Sequence, residues 1–306
     1  MKIAVTTVSF SSNKMLIKEL EKTKLNFKLN PFGRRLTFEE LVDFLTDCDC
    51  AIIGLDEISD KLLKYCPSLK VISKYGVGID NIDFEACKNN NVKVIYPIGI
   101  NKRSVSEMAL SMMISLARNI SSASLKLKNG NWVKDGGFEL SGKTVGIIGF
   151  GNIGKDLAHL LKPFKVKLLV NDIDENAFID YSEDIEIVHK NRIFNDSDFI
   201  SIHTPLNIST KHLINQETIE SMKPGVILIN TARGGILNEK DVSNSLKSGH
   251  IGGLGIDAHE FEPIVNSFFL SLDNVICTPH IGGNSKEAVK QMGLSAISGV
   301  INYLNI

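Results

Sequence analysis

The sequence predicts an α/β protein built as two Rossmann-like or flavodoxin-like lobes with parallel sheets and a cleft between them. Short apolar, β-branched runs alternate with amphipathic segments along nearly the whole chain, the rhythm of βα units. Five such runs lie before residue 100 and six after residue 143, and one strongly twisted open sheet seldom holds more than ~10 strands. A glycine-rich turn, Gly149-x-Gly151-x-x-Gly154, follows the first run of the second series.

In the first series, strands are expected near 2–8, 25–29, 50–54, 70–74 and 92–96. Thr37 and Glu40 have the spacing of a capping box, in which each side chain satisfies a free amide at a helix start. Another helix starts near Ser59. Residues 101–119 read as a long apolar-rich helix with a charged start and Arg118 near its end. The polar stretch NGNWVKDGGFELSGK, residues 129–143, reads as an arm and linker. The second series places strands near 144–149, 166–171, 198–202, 226–230, 253–256 and 274–277, and residues 284–304 read as a final helix.

The 306 residues carry 34 basic and 35 acidic side chains, for a formal net charge of −1. No global basic field therefore favours nucleic acid or an anionic membrane. The start, MKIAVTTVSF, reads as a strand and not as a signal peptide. No apolar run reaches the ~18 to 20 residues needed to span a bilayer. Cys48, Cys50, Cys66, Cys87 and Cys277 are scattered and odd in number. That pattern fits reduced thiols in a cytoplasmic protein and no metal site.

The glycine turn has a precise setting: strand, turn, helix, strand, then Asp172, 18 positions after Gly154. Gly149 can make the tight turn, Gly151 can let backbone approach a pyrophosphate, and Gly154 can bring helix and strand together. Free amides at the helix start supply an anion site. A terminal acid can accept from ribose hydroxyls and repel a 2′-phosphate, which favours NAD over NADP. The bland alternative is a glycine-rich turn beside a solvated acid.

Ligands of open α/β sheets sit beyond the carboxyl ends of the strands. Arg233 follows the run at 226–230, Asp257 and Glu262 follow 253–256, and His280 follows 274–277. Reducing a 2-keto acid needs a proton donor to the carbonyl oxygen, and histidine titrates nearest neutrality. A carboxylate beside it favours imidazolium and fixes the ring. An arginine can clamp a substrate carboxylate with two parallel hydrogen bonds. Singly, each residue also reads as a turn histidine, a surface ion pair or a loop acid.

These residues resemble the D-2-hydroxyacid dehydrogenase family, especially its 3-phosphoglycerate dehydrogenase-like branch. The matching segments run from about residue 50 to 285: SKYGVGIDNID at 73–83, NKRSVSEMAL at 101–110, VGIIGFGNIG at 145–154, SIHTPLNIST at 201–210, MKPGVILINTARGG at 222–235, DAHEFEP at 257–263 and TPHIGG at 278–283. The resemblance implies His280 as acid/base, Glu262 as its partner and Arg233 as substrate clamp. It implies that Asn152 and Ile153 face the pyrophosphate, and that Thr204, Pro205, Thr231 and Asp257 line the cofactor. Amides of Gly76, Val77 and Gly78 would receive the substrate carboxylate. The implied domains are a substrate domain at 1–98, an NAD-binding domain at 99–283, and a helix at 284–306 returning to the substrate domain. A homodimer through the NAD-binding domains is implied, with the arm around Trp132 embracing the neighbour.

The sequence also departs from the pattern. Ala258 and His259 follow Asp257 where aliphatic and aromatic residues are usual, and Phe268 replaces a frequent proline. The chain ends at Ile306, without the regulatory extension of some phosphoglycerate dehydrogenases, so serine feedback through such a domain is not expected. Lys74 stands where phosphoglycerate-type members tend to be basic, and it reads either as a contact to a substrate phosphate or as a strand-end lysine in water. Lys102 and Arg103 add positive charge at the next helix start. The expected substrate is 3-phosphoglycerate/3-phosphohydroxypyruvate or a similar anionic hydroxy acid. The alternatives are a glyoxylate/hydroxypyruvate or D-lactate-type reductase, and an NAD-sensing protein like the corepressors that share this fold.

Overall fold

The apolar runs form two parallel sheets in the computed structural model, which describes residues 1–179, 181, 184–265 and 267–304. Residues 1–101 with 285–306 make one unit and residues 102–284 the other. The last two residues of the expected final helix, 305 and 306, lie outside the described residues.

The first unit holds β1 (Lys2–Val5), β2 (Asn26–Leu29), β3 (Cys50–Ile53), β4 (Val71–Lys74) and β5 (Lys93–Ile95) in the order β2-β1-β3-β4-β5. This is a flavodoxin-like order. The expected strand at 2–8 is shorter, because Val8–Ser11 turns into a helix. The capping box forms: Glu40 N donates to Thr37 Oγ1 at 3.3 Å, and Thr37 N donates to Glu40 Oε2 at 2.8 Å. The last helix, Lys286–Leu304, belongs to this unit, where Met292, Ala296, Ile297 and Val300 share a core with Ile3, Val5 and Phe10.

The second unit holds β6 (Thr144–Ile148), β7 (Lys167–Asn171), β8 (Glu186–Ile187), β9 (Phe199–Ile202), β10 (Val226–Asn230), β11 (Ile251–Ile256) and β12 (Val275–Cys277). Their order is β12-β11-β10-β9-β6-β7-β8. Every residue of β9 and β10 is buried, which is why these strands read as continuous apolar runs: both faces are covered. Strand order reverses between β6 and β9, the switch point where doubly wound sheets open a crevice.

The structure differs from the sequence reading at three places here. The helix Lys102–Ala117 ends two residues before the expected position, and Asn119, with φ of 51°, caps a second helix, Ile120–Lys128. That helix buries none of its residues in its own unit, so it lacks the apolar stripe that periodicity detects. Strand β8 has only two residues and carries a glutamate, too little pattern to see.

All five cysteines are free, and burial pushes the thiols of Cys48, Cys50, Cys87 and Cys277 up to about 11. Among the described residues, no helix is long and apolar enough to cross a membrane, and no group of three His, Cys, Asp or Glu could hold a metal.

Candidate active site

The glycine turn sits at the switch point after β6. Gly149 has φ of 94°, and a Cβ there would lie 2.6 Å from the carbonyl of His203 at the end of β9. A Cβ on Gly154 would lie 2.2 Å from the Gly149 oxygen. Only glycines let these backbones touch. Gly151 faces open space and caps the helix Asn152–Leu161, so Asn152 and Ile153 form the first turn, where amides lack partners within the helix. Asp172 follows β7. Its Oδ2 accepts from the Phe150 amide at 2.6 Å and its Oδ1 from the Asp174 amide at 3.0 Å. The acid is thus fixed to the glycine turn itself.

Two hydroxyls at the same end of the sheet as this turn point to a polar ligand. Thr204 follows β9 and Thr231 follows β10, and the Oγ1 of each is buried without a hydrogen-bond partner among the described residues. An unsatisfied buried group costs about 1 to 3 kcal/mol. Next to Thr204, Pro205 is exposed. Open amides, an acid and unpaired hydroxyls along one end of the sheet fit a dinucleotide. A bound nicotinamide would supply the hydride.

The ends of β10, β11 and β12 carry the polar trio. Arg233 Nη1 donates to the Ala232 carbonyl at 2.8 Å, and Asn230 Nδ2 donates to the Arg233 carbonyl at 2.9 Å. His280 Nδ1 lies 2.9 Å from both Glu262 oxygens. Carboxylate oxygens only accept, so Nδ1 is the donor. Nε2 of His280 has no partner among the described residues, and both side chains keep solvent access at 45% and 36%. Burial pushes the Glu262 carboxyl up. Hydrogen bonds from His280 and from the His259 amide, with the charge of His280, outweigh it and hold the carboxyl below its usual value.

Asp257 follows β11 and bonds to the segment after β12. It is buried, and its Oδ1 accepts from Thr278 Oγ1 at 2.6 Å and from the Ile281 amide at 2.8 Å. Its Oδ2 accepts from the Gly282 amide at 2.7 Å. The carboxylate thus braces the segment that carries His280. Sequence reasoning placed Asp257 beyond β11 but had no signal for this bracing. It noticed His259 only as a departure. That ring is 5% exposed, and its Nε2 lies 3.0 Å from the Thr278 carbonyl. Phe268 opens a short turn with Lys247 Nζ 3.8 Å from its ring centroid.

In the first unit, Gly76, Val77 and Gly78 follow β4, and among the described residues their amides have no acceptor. Lys74 is not a strand-end lysine in water. It is 2% exposed, and its Nζ donates to the Gly54 carbonyl and, at 2.6 Å, to Asn81 Oδ1. Asn81 in turn donates from Nδ2 to the Asp56 carbonyl. In the second unit, Arg103 Nη2 is tied to Asp156 at 3.0 Å.

Residues 110–282 match the family model of the D-isomer specific 2-hydroxyacid dehydrogenase NAD binding domain. A hydroxypyruvate reductase of Thermotoga maritima is 36% identical over 301 residues, covering 96% of this chain and 97% of the relative. A D-3-phosphoglycerate dehydrogenase of Methanocaldococcus jannaschii is 37% identical over 262 residues, 84% of this chain, but the match spans only half the relative's length. Among solved structures, a protein of Thermus thermophilus superposes with a TM-score of 0.91 at 26% identity, over 100% of this chain and 97% of that one. The chain belongs to the D-isomer specific 2-hydroxyacid dehydrogenase family, NAD-dependent oxidoreductases acting on CH–OH groups.

Proposed function

We propose that this enzyme reduces a small unphosphorylated 2-keto acid of the hydroxypyruvate or glyoxylate kind. The observation that carries the choice is Lys74. The cation expected to select a phosphate is buried and bonded to Gly54 and Asn81. A buried ammonium taken from such partners would leave two acceptors unpaired. The full-length similarity to a hydroxypyruvate reductase supports the same reading.

In this reading, His280 donates a proton from Nε2 to the carbonyl oxygen, Glu262 holds the ring through Nδ1, and Arg233 clamps the carboxylate. The free amides of Gly76, Val77 and Gly78 receive an anionic group. Asp172 takes the ribose hydroxyls, and Thr204 and Thr231 meet the cofactor. A homodimer in the cytoplasm completes the proposal. Its support is the helix Ile120–Lys128 and the arm behind it, where Ile120, Leu125, Leu127 and Trp132 are all more than half exposed. Apolar surface of that kind marks an interface.

The test is NADH oxidation with hydroxypyruvate, glyoxylate, pyruvate and 3-phosphohydroxypyruvate. Hydroxypyruvate or glyoxylate should give the highest kcat/KM. A clear preference for the phosphorylated acid would return the assignment to the phosphoglycerate branch, which the Methanocaldococcus jannaschii relative favours.

A further inference from the structure

We propose that His259 is a positioning residue for proton transfer, tying the segment that presents His280 to the segment that presents Glu262. The inference rests on the proposed acid/base pair and extends it to a residue outside it.

His280 has φ of 54°. A left-handed backbone is uncommon for a non-glycine residue and persists only where its surroundings over-determine it. Two anchors meet that need. Asp257 holds Thr278 Oγ1 and the amides of Ile281 and Gly282. The second is the His259 ring, whose Nε2 lies 3.0 Å from the Thr278 carbonyl, two residues before His280. A carbonyl only accepts, so Nε2 carries the proton. The same residue's backbone amide donates to Glu262 Oε1 at 3.1 Å. His259 therefore bonds toward both members of the pair, by side chain to one segment and by main chain to the other.

The ring is almost wholly buried, so water does not compete for the Thr278 bond. Its Nδ1 is buried without a partner among the described residues. With Nε2 protonated and the ring neutral, Nδ1 is a lone pair and leaves no donor unpaired. A hydrocarbon ring at this position would fill the space but could not donate to Thr278.

The test compares His259→Phe, which keeps the ring, with His259→Gln, whose side-chain amide can place a donor near the position of Nε2. NADH-linked reduction of hydroxypyruvate and glyoxylate is measured together with NADH affinity, thermal stability and hydrogen exchange at the Ile281 and Gly282 amides. The Phe variant should lose about tenfold or more in kcat, with KM and NADH affinity within about twofold, and should exchange those amides faster. The Gln variant should recover most of the kcat. Retained kcat in the Phe variant, or equal losses in both, overturns the role. If the parent turns over neither acid, the proposed substrate fails instead. The exchange rates then still decide, and unchanged protection in the Phe variant overturns the positioning role.

Discussion

His280 Nδ1 donates to both carboxylate oxygens of Glu262 at 2.9 Å, leaving Nε2 as the ring nitrogen available for chemistry. Removing the ring should remove the proton donor without emptying the cofactor site. His280→Ala is expected to lose about 10² to 10⁴-fold in kcat while binding NADH nearly as before. Near-normal turnover would exclude His280 as the acid. Glu262→Gln keeps one acceptor for Nδ1 but removes the second oxygen that holds the ring, so kcat should fall about tenfold or more while NADH affinity stays near the parent's. An unchanged kcat would separate Glu262 from the proton donor.

Asp172 is held by the Phe150 amide at 2.6 Å, and in the proposed reading its remaining acceptor capacity takes the ribose hydroxyls. NADH should be used with higher kcat/KM than NADPH, because the fixed carboxylate repels a 2′-phosphate. Asp172→Ala should narrow that gap. Steady-state kinetics with both cofactors decide it, and equal use of the two by the parent contradicts the assignment.

Lys74 separates the two substrate readings. If its ammonium braces Gly54 and Asn81, then Lys74→Met should lower activity on hydroxypyruvate and 3-phosphohydroxypyruvate together and lower the melting temperature. Two lost donors to buried acceptors amount to about 1 to 3 kcal/mol each. A loss confined to the phosphorylated acid would instead make Lys74 a phosphate contact.

His203 predicts an acid-sensitive step in stability. The residue keeps some surface exposure, but its ring is sealed: Nε2 lies 2.9 Å from Ser201 Oγ, and Nδ1 is buried without a partner among the described residues. Burial lowers its pKa to about 4 from 6.5. The unfolded chain then takes up a proton that the folded chain refuses, so stability falls as pH drops from about 6.5 to about 4 and levels off below. The loss is on the order of 1 to 3 kcal/mol. Urea midpoints at pH 7 and pH 4.5 should differ less in His203→Gln than in the parent, and equal differences would sink the idea.

The two parallel sheets were legible because both kinds of evidence are local. Runs such as Val226–Asn230 are apolar on both faces, and the glycine turn announces a close backbone contact within a few residues. Arg233, Glu262 and His280 were legible because each follows a strand at the same sheet edge. What escaped depends on partners distant in sequence. Nothing near Asp257 reveals that it will accept amides from Ile281 and Gly282. Lys74 looks like a solvated end of β4 until Gly54 and Asn81 fold over it. The helix Ile120–Lys128 escaped for the opposite reason: it buries nothing in its own unit and carries no stripe to read.

The helix Lys286–Leu304 closes a core begun by Ile3, Val5 and Phe10. On the ribosome these strands emerge first and their cover last, with the entire nucleotide-binding unit made in between. At about 5 to 20 residues per second, the nascent five-stranded sheet stays without that helix for roughly 10 to 40 s. The unit synthesised second is therefore able to finish folding first, and the one begun first depends on translation running to its final turns.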